Sequence, residues 1–127
     1  MGQQQLLLIV LGVIIVGIAV VVGINLFNAN ATNANRDGVI SDLNNLGAMA
    51  QQYYKKPTSM GGGGNTFTGW TIPTGLDSTA NGTYTPPTGS AQLISITGTG
   101  TEPGDDGTEV SASCSVSPTA INVTVLN

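Results

Sequence analysis

The chain is 127 residues long, 40% hydrophobic and only 8% charged, with a formal charge of −4 at pH 7. That charge fraction is about a third of the ~25% usual in globular domains, which argues against an ordinary soluble domain. With no histidine and one cysteine, the chain cannot build a His-based triad or proton shuttle, an intrachain disulfide, or a Cys- or His-rich zinc site.

The charges are segregated. Residues 1–35 carry none, residues 36–56 hold Arg36, Asp37, Asp42, Lys55 and Lys56, and residues 57–127 hold five acids and no base. An acidic, base-free C-terminal part does not suit a phosphate backbone, so no direct contact with nucleic acid is expected.

From the N-terminus, Leu6–Ile24 runs 19 residues without a polar side chain. As a helix it spans ~28 Å at 1.5 Å per residue, close to the ~30 Å of a bilayer's hydrocarbon core. Leu6, Leu7, Leu8, Ile9, Val10, Leu11, Val13, Ile14, Ile15, Val16, Ile18, Val20, Val21, Val22, Ile24 and, beyond them, Phe27 leave no polar face, the mark of a helix enclosed by lipid or by other helices. Ala29-Asn30-Ala31 resembles a signal-peptide cleavage site. However, Met1-Gly2-Gln3-Gln4-Gln5 offers no basic residue, and the apolar run exceeds the usual ~7–15 residues of a signal core. A retained helix is therefore expected. Because nothing basic precedes it to orient insertion, a basic leader removed after insertion is also expected, with Met1 as the first mature residue.

Gly12, Gly17 and Gly23 are weak helix positions, each costing about 1 kcal/mol relative to Ala. Gly17 and Gly23 are candidate points of local helix melting during packing. The Asn-rich stretch Asn28–Asn35 could interrupt the helix, since Asn has modest helix propensity. Apolar residues then return at helical spacing: Val39 and Ile40, Leu43, Leu46, Met49 and Ala50, Tyr53 and Tyr54. Steps of three and four place them on one stripe, and Val39, Ile40, Leu43, Leu46, Ala50, Tyr53 and Tyr54 are the candidate head-packing residues. Pro57 disfavours helix at Lys56. The expected organisation is a helix over residues 1–56, apolar over 1–27 and amphipathic over 36–56, followed by a β-rich head over 57–127.

The head reads as turns and short strands. Gly61–Gly64 with Asn65 reads as a flexible or bulge-forming connector, lacking the preceding strand and the GK[ST] of a phosphate loop. Candidate strands are Thr66–Ile72, Thr83–Thr85, Gln92–Thr97, Glu109–Val116 and Ala120–Leu126, with Asn81-Gly82 as a hairpin turn. About 70 residues make a marginal core, so the stripe Val39–Tyr54 is expected to complete it. The predicted fold class is α+β, with the amphipathic half of the long helix packed on a small antiparallel sheet.

Candidate chemistry is sparse. Glu102, Asp105, Asp106 and Glu109 gather in a turn-rich loop whose spacing does not match an EF-hand, so a solvated acidic loop is expected. Cys114 reads as a buried strand thiol. Phe67 and Trp70, with Tyr53 and Tyr54, read as helix–sheet packing. Asn30-Ala31-Thr32, Asn81-Gly82-Thr83 and Asn122-Val123-Thr124 match the N-glycosylation sequon. No nucleophile–base pair or metal cluster is visible, so neither an enzyme nor a cofactor is expected.

A helix apolar on every side needs apolar surroundings. In a membrane these are lipid, and once it is extracted they are identical helices. Each buried Leu, Ile or Val contributes ~1.5–3 kcal/mol, and head-to-tail contacts that do not close give an open helical polymer. A bundle of helices with β heads outside it is the expected form. The apolar N-terminus without a leader, the half-apolar and half-amphipathic helix and the small β head together resemble type IV pilins and the wider type IV filament superfamily. The resemblance is specific over residues 1–56 and architectural over 57–127. It implies a leader peptidase and inner-membrane assembly machinery as partners, a homopolymer of identical subunits, a subunit held in the membrane before assembly, and an extracellular filament afterwards. It also implies N-methylation of Met1. Many such pilins carry a glutamate at the position matching Gln5, where it pairs with a neighbour's amine, whereas Gln5 here can hydrogen-bond but not neutralise. The alternatives are a pseudopilin of a type II-like secretion system and a monomeric membrane-anchored binding module.

Overall fold

The computed structural model describes residues 2–127. One helix, α1, runs unbroken over Gln3–Lys55. A single 3-10 turn over Thr58–Met60 follows. The strands are β1 (Ser78–Thr79), β2 (Gly82–Tyr84), β3 (Thr88–Gly89), β4 (Ile94–Pro103), β5 (Glu109–Val116) and β6 (Ile121–Val125). They form one antiparallel sheet in the order β1-β2-β4-β5-β6, with β3 pairing the start of β4. The fold is α+β.

The chain divides into two compact units, up to Ala31 and from Thr32. The second unit begins inside α1 and not at its end. The reason is that the amphipathic half of the helix supplies one wall of the core: Val39, Leu43, Leu46 and Ala50 pack with Ile94, Ile96, Ala112, Cys114 and Val116. Strand periodicity puts the inward residues of β4 and β5 on one face, with Ser and Thr on the other. Tyr53 and Tyr54 pack at the rim of this core. Ile40 lies beside the stripe, half-buried and outside the core.

The Asn-rich stretch continues α1, in keeping with the expected single helix, and Asn35 within it is buried and hydrogen-bonded to the head. Three elements differ from expectation. Thr66–Ile72 forms turns and no strand. Phe67 and Trp70 still reach the core, held by a local bond from the Trp70 amide to the Phe67 carbonyl (3.0 Å). Strand β4 continues six residues past Thr97, to Pro103. Its inward positions there are Gly98 and Gly100, where no side chain fits: a Cβ on Gly100 would overlap Asn35 Oδ1 of α1, and one on Gly98 would meet Tyr84 Cε1 of β2 at 2.8 Å and Val39 Cγ1 of α1 at 3.0 Å.

The third difference is the glycine run, which acts as a helix cap. The amides of Gly63, Asn65 and Gly64 donate to the carbonyls of Tyr53, Tyr54 and Lys56 at 2.7, 2.7 and 2.9 Å. These are carbonyls that a helix end leaves without intrahelical partners. A Cβ on Gly63 would overlap the Thr66 carbonyl oxygen, so the run is glycine because the chain folds back tightly there.

Candidate assembly surface and the head that carries it

The first unit is an apolar helix surface. From Leu6 to Phe27 every large apolar side chain is more than half exposed, from 51% at Leu6 to 79% at Phe27. Its most apolar 18-residue window has a mean hydropathy of 3.3 and none of it is buried. It is one helix long and apolar enough to cross a membrane. Leu6, Leu7, Leu8, Ile9, Val10, Leu11, Val13, Ile14, Ile15, Val16, Ile18, Val20, Val21, Val22 and Ile24 are thus all presented outward. Gly17 and Gly23 are helical, and a Cβ on either would meet nothing within 4 Å. Gln5 is exposed in the first turn, its amide donating to the Gly2 carbonyl at 3.2 Å. Met1 lies outside the described residues.

Such a surface is far larger than the single exposed apolar side chains common on soluble proteins. Within the described residues nothing covers it. Its chemistry is dispersion and solvent exclusion, with only the glutamines at its start and Asn25 near its end as polar groups to discriminate among partners.

The second unit is locked by three polar nodes along α1. Asn35 Oδ1 accepts from the amides of Thr101 (3.0 Å) and Glu102 (3.3 Å), while Nδ2 donates to the Asn81 carbonyl (2.7 Å). At the next residue, the Arg36 guanidinium donates to the Asn127 main-chain oxygen (3.2 Å) and pairs with Asp105 at 3.6 Å. Two turns beyond Asn35, Asp42 Oδ2 accepts from Tyr84 (2.5 Å), Thr79 (2.8 Å) and Asn81 Nδ2 (3.1 Å). Burial raises the Asp42 pKa, but the bonds from Tyr84, Thr79 and Asn81 more than offset it and the net shift is downward. The same burial and the facing Asp42 carboxylate push the Tyr84 hydroxyl upward.

The sequence reading of the head did not include these polar residues. Asn35, Val39, Asp42 and Leu46 follow one another at steps of four, three and four, so the apolar stripe has polar members on the same face. That spacing was the signal, hidden because polar residues are assigned outward by default.

The remaining candidates resolve as packing and turns. Cys114 is fully buried, its thiol 3.7 Å from the Leu43 carbonyl oxygen, and burial pushes its pKa up to about 11. In the acidic loop, Asp106 Oδ1 accepts from the Thr108 amide (3.0 Å) and hydroxyl (2.6 Å), which closes the turn on itself. Tyr54 stacks obliquely on Phe67, with ring centroids 4.8 Å apart, while Tyr53 donates to the Thr68 carbonyl at 2.9 Å. An open hollow of about 250 Å³ between Phe67–Trp70 and Pro87–Ala91 has no ionisable side chain in its lining. Among the described residues no three His, Cys, Asp or Glu side chains gather to hold a metal.

Compared with protein-family models, curated proteins and solved structures, the chain matches none.

Proposed function

We propose that the protein is the structural subunit of a type IV pilus-like filament, held in a membrane by its apolar helix and then polymerised through it on the cell surface. The observation that carries this reading is the apolar helix from Leu6 to Phe27, exposed along its whole length, on a chain whose head has a core complete without it. Lipid can cover that surface before assembly, and identical helices can cover it afterwards. At ~1.5–3 kcal/mol for each buried Leu, Ile or Val, the filament core is cohesive, and head-to-tail contacts that do not close propagate it. Gly17 and Gly23 are where the helix would locally unwind as neighbours pack. Gln5 would hydrogen-bond the N-terminal amine of a neighbour without neutralising it, and Met1 would be the methylated residue. The leader peptidase and the membrane assembly machinery belong to the same reading.

Ile14→Asp tests it. A buried charge at mid-helix costs several kcal/mol in a dry bundle, so surface filaments should disappear while the head stays folded by circular dichroism of the detergent-solubilised chain. Filaments of unchanged yield would refute the reading.

A further inference from the structure

We propose that Asn122 carries an N-linked saccharide. Three Asn-x-Thr sequons occur in the chain, and the fold treats them differently. In the first, Asn30 lies inside α1 and the Thr32 hydroxyl is already donated to the Pro103 carbonyl at 2.8 Å. In the second, the Asn81 amide donates to Asp42 at 3.1 Å, and its side chain fills the space that a Cβ on Gly38 would need. A glycan on Asn81 would displace a bond that joins the head to its helix.

The third sequon is open. Asn122 and Thr124 are both exposed on β6, and they project from one face because strand side chains alternate. Val123 between them packs against the core. Opposite them in register stand Ser115 and Ser113, so a saccharide would lie over small hydroxyl side chains without displacing any large one.

The second observation concerns the edge. Strand β6 ends the sheet, and Val110–Asn127 holds no charged side chain. Within Ile121–Val125 there is neither proline nor lysine, and Val125 and Leu126 are 40% and 58% exposed. An uncharged β-branched edge is an open template for pairing with other chains, and proteins normally block such edges. A bulky, solubilising saccharide at the middle of β6 blocks this one.

The acceptor chemistry requires a lipid-phosphate-linked saccharide as co-substrate. Asn122 Nδ2 bonds to the anomeric carbon as that carbon's bond to the phosphate oxygen breaks. The lipid phosphate leaves with the bonding pair, the amide gives up one proton, and nothing is oxidised or reduced.

The inference rests on the proposed placement of the head outside the membrane. The test is intact-mass and peptide mapping of the full chain from its native cells, alongside N122Q, T124S, T124V and N81Q. The expected mass exceeds the 12.8 kDa of the polypeptide, with the increment on the Asn122 peptide. It should be kept by T124S and N81Q and lost in N122Q and T124V. An unmodified Asn122 peptide, or an increment that survives N122Q, overturns the assignment. Filaments built of chains unmodified at Asn122 overturn it alone. A chain glycosylated at Asn122 but found only as a membrane monomer overturns the polymer and leaves the assignment standing.

Discussion

Asp42 joins the helix to β1 and β2 through a single carboxylate oxygen that accepts three hydrogen bonds. Asp42→Ala would strand three donors, among them the hydroxyl of the buried Tyr84, and should cost about 1–3 kcal/mol by chemical denaturation. The folded pKa lies below the ordinary value of 3.8, so the fold favours the charged form. That contribution is complete above pH 3.8 and is lost as the pH falls through the lower folded value. Acid titration of the wild type should therefore show a stability loss below pH 3.8 that is smaller in Asp42→Ala, where Asp106, also held below 3.8, still contributes. At Cys114 the raised pKa and full burial predict no reaction with a thiol-alkylating reagent at neutral pH in the native chain and full reaction in denaturant, read by mass.

Among the elements, β5 keeps the expected bounds Glu109–Val116 and β6 lies within one residue of Ala120–Leu126 at each end, and both strands have one face on the core. The expected strand Gln92–Thr97 ends where the glycines of β4 begin. Glycine disfavours strands by local propensity, and only the close approach of Asn35 and Val39 on α1 and of the Tyr84 ring explains why Gly98 and Gly100 stand inward. Thr66–Ile72 misled in the opposite sense: its β-prone residues are real, but no neighbouring strand is there to pair them. The glycine run looked flexible because composition does not reveal where amides point, and here they point at the carbonyls ending α1. The stripe Val39–Ala50 was legible as core, whereas its polar members Asn35 and Asp42 were not. Leu43, fully buried against β5, should cost about 2–5 kcal/mol on truncation to Ala, measured as a lowered unfolding midpoint of the head. Because every core residue falls after Thr32, residues 32–127 should fold without the apolar helix, with a cooperative thermal transition as the readout.

For the whole molecule, the low charge fraction separates by position into an uncharged apolar helix, a mixed-charge stretch that joins helix to sheet, and an acidic head. The helix was readable from composition alone, since nineteen residues without a polar side chain permit few environments. The partner that fills that environment was not readable, because a surface of Leu, Ile and Val serves lipid and helix equally. Electron cryo-microscopy of filaments sheared from the cell surface identifies that partner. The expected result is a filament built from repeats of this one polypeptide, with Leu6–Phe27 of neighbouring copies packed together along its axis. Surface filaments lacking this chain, with the protein recovered only as a monomer from the membrane, would contradict it.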